Sequence, residues 1–273
     1  AQPVPEATQA RWLEAHSAGD SSGALHMPKM NPFTPSLEGC TVLGPFDRDV
    51  DDTVPTRVHE DEQCTCFWKQ DRTFGEPRLY IHMLLASKHT RSTLKESCCT
   101  ALFQGLFTHA LNKFAYMAQL AGIEGGFATN PRGLVLTFSG LSEKLNVYAE
   151  HALKALRSFE PDEQLFHMVK TRAIETVEGW RNKSAYAQGY EIVNFCLRDS
   201  SLFPKAAFED ILPRITLQDV LEWRRTFFET GVRIVAFFEG NITEKGAVEL
   251  TLLAKNILGL PVAPSEELMD NRP

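Results

Sequence analysis

Leu79, Ile81, Met83 and Leu85 stand at every second position, the period of a strand with one buried face. Tyr80 and Leu84 leave the other face only partly polar, which places this strand centrally in its sheet. It closes the stretch "FWKQDRTFGEPRLYIHMLLAS", Phe67 to Ser87, which reads as two strands around a turn. Ser92 or Thr93 can cap a helix that runs to about Ala121, where Gly122, Gly125 and Gly126 break it. Leu134, Leu136 and Phe138 alternate in the next strand. Leu145, Tyr148, Ala149, Ala152, Leu153 and Leu156 follow the spacing of an amphipathic helix. Pro161 suits the first turn of another helix, with Asp162 and Glu163 near its positive end. Helices fit 184–198, 204–212 and 216–229. A last strand, Val232 to Phe238, leads into a helix from Thr243 to about Leu258. Strands come early and late with helices between them. The fold class is therefore α+β: a mixed, largely antiparallel sheet with helices packed on one face.

The chain divides by texture. Residues 1–30 read as an interdomain linker, with a short helix from Pro5 to His16 and then the Ser/Gly stretch "SAGDSSGALHMPK". Residues 31–63 read as an extended acidic lead-in, 64–260 as the α+β domain, and 261–273 as a tail toward a following domain. The chain starts at Ala1, not Met, as expected of something processed or cut from a longer protein.

Composition adds limits. With 273 residues the chain can bury one large core or two small ones. The formal net charge of −7 argues against nucleic acid or an anionic membrane as partner. From Asp47 to Glu62, seven acidic residues face only Arg48 and Arg57, which reads as a solvated loop. No apolar run approaches the ~18 residues of a membrane span, and the N-terminal residues show no basic start followed by an apolar core to read as a signal peptide. The six cysteines (Cys40, Cys64, Cys66, Cys98, Cys99 and Cys196) are too scattered for a disulfide scaffold or a C-x2-C zinc site. They read as free, mostly buried thiols in a reducing, cytoplasmic setting.

Candidate chemistry is sparse. No two histidines sit as H-E-x-x-H or H-x-x-E-H, so a helix cannot present the imidazole pair that grips zinc. Cys64 and Cys66 share a strand face and could join His82 around a metal, but ligand sets usually show tighter spacing. Cys98 and Cys99, near the head of the long helix, would feel its positive end, yet no base lies near them in sequence. Helix packing is the better reading. The glycines of "AGIEGGFATNPRG" fit no phosphate-binding pattern and read as a turn. Glu175 and Glu178 share a helix face near Trp180; paired carboxylates can do acid–base work, but solvated helix glutamates are commoner. Asn182-Lys-Ser184 and Asn241-Ile-Thr243 match the glycosylation sequon and are discounted without a secretory signal. The residues alone give no catalytic and no metal site.

Several segments together resemble the insulin-degrading branch of the pitrilysin-type zinc metallopeptidases. They are "FWKQDRTFGEPRLYIHMLLAS", with Lys69-Gln70-Asp71, Phe74, Pro77 and Arg78, and "NKFAYMAQLAGIEGGFATNPRGLVLTFSGLSEKL". "FEGNIT" resembles the segment before the last helix, and "PVPEATQARWLEAH" followed by "MNPFTPSLE" resembles the linker into the C-terminal half. The likeness spans roughly residues 4–258, and the order and spacing of its segments carry it. It implies four similar α+β domains in one parent chain, closing in two halves around a chamber for peptides. It places zinc, the only cofactor, in the first domain, and this chain as the non-catalytic third domain. The helix after Ser87 is then the counterpart of the zinc helix, with Ala101-Leu-Phe-Gln-Gly105 where the ligands would stand. Implied partners are the other domains and peptide substrates, with no nucleic acid and no membrane. Two other readings stay open: a structural or binding subunit of the same family, and an unrelated hydrolase using Cys98 or Cys99.

Overall fold

The computed structural model describes residues 5–17, 30–36, 38–39, 41–44, 54–130, 132–197, 203–259 and 261. In chain order these form α1 (Glu6–Ser17), β1 (Thr56–Glu60), β2 (Cys64–Gln70), β3 (Arg78–Ala86), α2 (Leu94–Leu120), β4 (Glu124–Asn130), β5 (Gly133–Leu141), α3 (Ser142–Ser158), α4 (Glu163–Glu178), α5 (Ala185–Leu197), α6 (Lys205–Ile211), α7 (Leu217–Glu229), β6 (Arg233–Gly240) and α8 (Glu244–Leu258). The Ser/Gly stretch after Ser17 and the C-terminal tail beyond Pro261 lie outside the described residues.

The strands make one six-stranded sheet in the order β1-β2-β6-β3-β5-β4. Only β2 and β6 run parallel; the other neighbouring pairs are antiparallel. The expected α+β class with a mixed, largely antiparallel sheet is what forms. The two strands of the Phe67–Ser87 stretch do not pair with each other. β6, from the far end of the chain, lies between them, with Phe67 opposite Phe237 and His82 opposite Phe237 on its other edge.

Alternation sets the layers. Leu79, Ile81, Met83 and Leu85 of β3, Leu134, Leu136 and Phe138 of β5, and Ile234, Ala236 and Phe238 of β6 are all buried on one face. Helices α2, α3 and α8 pack there, and α4 and α7 pack against α2. Each large side chain so buried stabilises the fold by roughly 1.5–3 kcal/mol. The opposite face carries Tyr80, His82, Val135, Thr137, Val235, Phe237 and Glu239, all partly or fully exposed.

Caps fix the helix starts. Thr93 accepts from the Glu96 N–H at 3.1 Å while the Thr93 N–H donates to the Glu96 carboxylate at 3.0 Å, a reciprocal capping box. Thr216 and Asp219 repeat it at α7. Lys95 joins the two helix starts through Asp219 at 2.6 Å, and the Trp223 indole N–H donates to the His89 carbonyl at 2.7 Å. Two elements depart from expectation. Thr56–Glu60, inside the acidic stretch read as a solvated loop, is the edge strand β1, where Glu60 pairs with Arg57 at 2.6 Å. Glu124–Asn130, read as a turn because of its glycines, is the opposite edge strand β4. Phe33, in the extended lead-in, is buried in the core between Phe114 and Tyr148.

Candidate functional site

The first place to look for chemistry is α2, where Ala101–Gly105 runs past the sheet. Leu102 and Phe103 are fully buried. The Phe103 ring lies 5.3 Å from Trp223, 6.2 Å from Phe107 and 6.2 Å from Phe127. Gln104 donates through Nε2 to the Phe127 carbonyl at 3.2 Å and accepts from Thr129 Oγ1 at 3.2 Å, fastening β4 to the helix. A Cβ on Gly105 would sit 2.7 Å from Val169 of α4, so the missing side chain lets α4 approach. This segment is a packed core surface. It offers no imidazole and no carboxylate.

Glu175 and Glu178 lie exposed on the last turns of α4. The structure does not bring either into contact with α2's Ala101–Gly105 through a hydrogen bond or ion pair among the described residues. Cys98 and Cys99 are buried in the first turns of α2. Burial pushes the Cys98 thiol up to about 11, and burial together with the Asp219 charge pushes Cys99 up to about 12. At neutral pH such thiols hold almost no thiolate, the form that attacks. In the isolated chain, iodoacetamide at pH 7 should therefore label Cys196, which is exposed, and leave Cys64, Cys66, Cys98 and Cys99 unmodified over the same period. Peptide mapping by mass spectrometry reads this out. Labelling of Cys98 or Cys99 as fast as Cys196 would return the cysteine-hydrolase reading to the table.

The grouping of Cys64, Cys66 and His82 does not form. Both cysteines point to the helix-covered face of β2, whereas His82 is exposed on the open face of β3, stacked on Phe237, with β6 intervening. The β1–β2 hairpin instead gathers His59, Asp61 and Cys64, whose ligand atoms lie within 4.8 Å of one another. Sequence reading missed this group because it depends on β1. Its geometry argues for a structural role. Asp61 Oδ1 accepts the Gln63 and Cys64 backbone N–H groups at 2.7 Å each, and its other oxygen takes the Lys255 ammonium at 2.7 Å. Burial pushes the Asp61 carboxyl up, but Lys255 and the two N–H groups outweigh it and hold the carboxyl far below the usual range. A lysine cation already holds the place a metal would take. Burial and the Asp61 carboxylate also push the Cys64 thiol up to about 11, the opposite of what a thiolate ligand needs.

Asn241 of the sequon pair is buried. Its amide bonds the Leu43 N–H, the Thr41 carbonyl and Ser142 Oγ at 2.8–2.9 Å, tying the lead-in and α3 to the end of β6. A side chain so engaged is closed to glycan attachment.

Among the described residues no helix is long and apolar enough to cross a membrane. A family model described as the middle or third domain of peptidase M16 matches residues 1–209. The chain is 25% identical over 238 residues to the A-factor-processing enzyme of Saccharomyces cerevisiae, covering 86% of this chain and 22% of that protein. It is 25% identical over 260 residues to the insulin-degrading enzyme-like 1, peroxisomal, of Arabidopsis thaliana, covering 93% and 25%. The crystal structure of pitrilysin superposes with a TM-score of 0.78 at 21% identity, covering 95% of this chain and 26% of that one. The chain thus spans about a quarter of the length of the relatives it matches. Fold, segment order and family model agree, and the chain belongs to the M16 peptidase family as its middle, or third, domain.

Proposed function

We propose that this domain is a non-catalytic part of a zinc metalloendopeptidase, forming a chamber wall and a domain interface for peptide hydrolysis performed elsewhere in the protein. The observation that carries the reading is the packing of α2. At Leu102 and Phe103, on the counterpart of a zinc helix, the chain places two buried apolar side chains. Without imidazoles there, Glu175 and Glu178 have no metal site to complete. The open sheet face, a mixture of apolar and polar side chains, supports a wall that meets varied peptides without a fixed charge pattern. The net charge of −7 favours neither nucleic acid nor an anionic membrane as partner. Zinc belongs to another domain on this reading, and the free thiols suit a reducing compartment.

Chamber closure positions substrate and excludes water, so this domain acts through surface complementarity. A C-terminal piece holding this domain and the domain after it, mixed with the zinc-bearing N-terminal half, should raise peptide cleavage well above that of the N-terminal half alone. Glu175→Gln and Glu178→Gln in that piece should leave the rescued rate within about threefold, under ~0.7 kcal/mol of barrier. A hundredfold loss in a well-folded variant would place a carboxylate of this domain in the chemistry and overturn the reading.

A further inference from the structure

Helix α5 is apolar and, among the described residues, uncovered. In the 13 residues of Ala185–Leu197 the only charged side chain is Glu191, held by Lys183 at 3.2 Å, and no residue of the helix is buried. Gln188 anchors its start by donating to the Arg181 and Lys183 carbonyls at 3.0 and 2.9 Å. Tyr186, Tyr190, Val193 and Leu197 are 84%, 62%, 53% and 80% exposed, and Ile192 and Phe195, on other sides of the helix, are 52% and 40% exposed. The spacing of Tyr186, Tyr190, Val193 and Leu197, four, three and four residues, puts them on one narrow stripe. Isolated helices this short are marginal in water, and soluble proteins rarely leave so large a contiguous apolar patch uncovered.

We propose that this stripe is a docking seam for a helix of another domain of the same polypeptide. The proposal rests on the reading of this chain as one domain of a longer peptidase. Relatives are about four times as long as the matched region, with matches covering 22% and 25% of their length, so a large folded remainder is available to cover α5. The four-three-four spacing is that of side chains meshing with another helix at about 20°. The stripe carries no charge, so the partner face is apolar. A second copy of the chain could offer such a face, but a tethered domain meets the seam at an effective concentration in the millimolar range and displaces it.

Cys196 reports on the seam: it is an exposed free thiol three residues after Val193, at the stripe's flank. In the full-length native polypeptide, kept dilute, alkylation of Cys196 should be at least tenfold slower than in a peptide of the α5 sequence. Tyr190→Asp in that polypeptide, with circular dichroism showing an intact fold, should restore labelling to within about threefold of the peptide. Native-state labelling at the peptide rate overturns the proposal, and needs no variant. Protection that disappears on dilution assigns the seam to a second copy and overturns it as well. The readout does not depend on peptide cleavage. Protection without cleavage rescue would leave the seam standing while the chamber reading fails, and rescue without protection would do the reverse.

Discussion

Replacing Phe103 by alanine should cost the domain about 3–5 kcal/mol, the range for removing a fully buried aromatic side chain. Phe103 has no exposed surface, and its ring meets Trp223, Phe107, Phe127 and Phe159 with centroids 5.3–6.3 Å apart. These rings come from α2, β4, α7 and the turn after α3, so the cavity would open where four parts of the chain meet. Gln104 and Gly105 fix α2 against β4 and α4 on either side of it, which limits how far the walls can close in. A single domain holds only about 5–15 kcal/mol in total, so the variant should be near the edge of folding. Urea unfolding should show a much lower midpoint with an unchanged slope. A loss under about 1 kcal/mol would mean that this stretch of α2 is loosely packed and free for another use.

Gly240→Ala should be nearly as damaging, on the order of 3 kcal/mol. Gly240 ends β6 with φ of +116°, a region that side chains with a Cβ rarely adopt. Its Cβ would lie 2.3 Å from the backbone oxygen of Arg78, which cannot move without breaking the β3–β6 register at Leu79. Strain of about 1–3 kcal/mol and overpacking of about 1–3 kcal/mol therefore add at one position. The next residue spreads the damage: the Asn241 N–H donates to the same Arg78 oxygen at 2.7 Å, and the Asn241 side chain holds the lead-in. The "FEGNIT" stretch thus has a structural reason for its Gly-Asn pair. Thermal unfolding compares the variant with the parent; an unchanged midpoint would show that the backbone here yields freely.

What the sequence revealed follows from period. β3, β5, β6, α3, α7 and α8 each carry a one-sided apolar pattern, and their spans were legible to within a few residues. The edge strands were not. β1 is short and polar, with Glu60 at its end, and charge on an exposed edge is a usual way to prevent edge-to-edge pairing. β4 contains Gly125 and Gly126, which resemble turn residues. Their role is steric: a Cβ at Gly125 would lie 2.4 Å from the Tyr148 hydroxyl and one at Gly126 2.4 Å from Thr137 Oγ1. Strand order was also hidden, because β6 reaches its place between β2 and β3 from some 150 residues away and no local pattern records that. Of the candidate site, the absent zinc motif could be read directly. The His59–Asp61–Cys64 group could not, since it exists only once β1 folds back on β2. The helix at 184–198 was placed, but its apolar stripe was not singled out, because spacing alone does not say whether an apolar stripe is covered.

The central claim is that α2 serves as core where a catalytic domain would hold its metal. Zinc content of the purified domain tests it most directly. After dialysis against a weak chelator, elemental analysis should find only trace zinc per chain, with no peptide cleavage by the domain alone. One tightly bound zinc per chain, retained through dialysis and still held in His59→Ala and Asp61→Asn, would contradict the claim, because the β1–β2 hairpin could not then account for it.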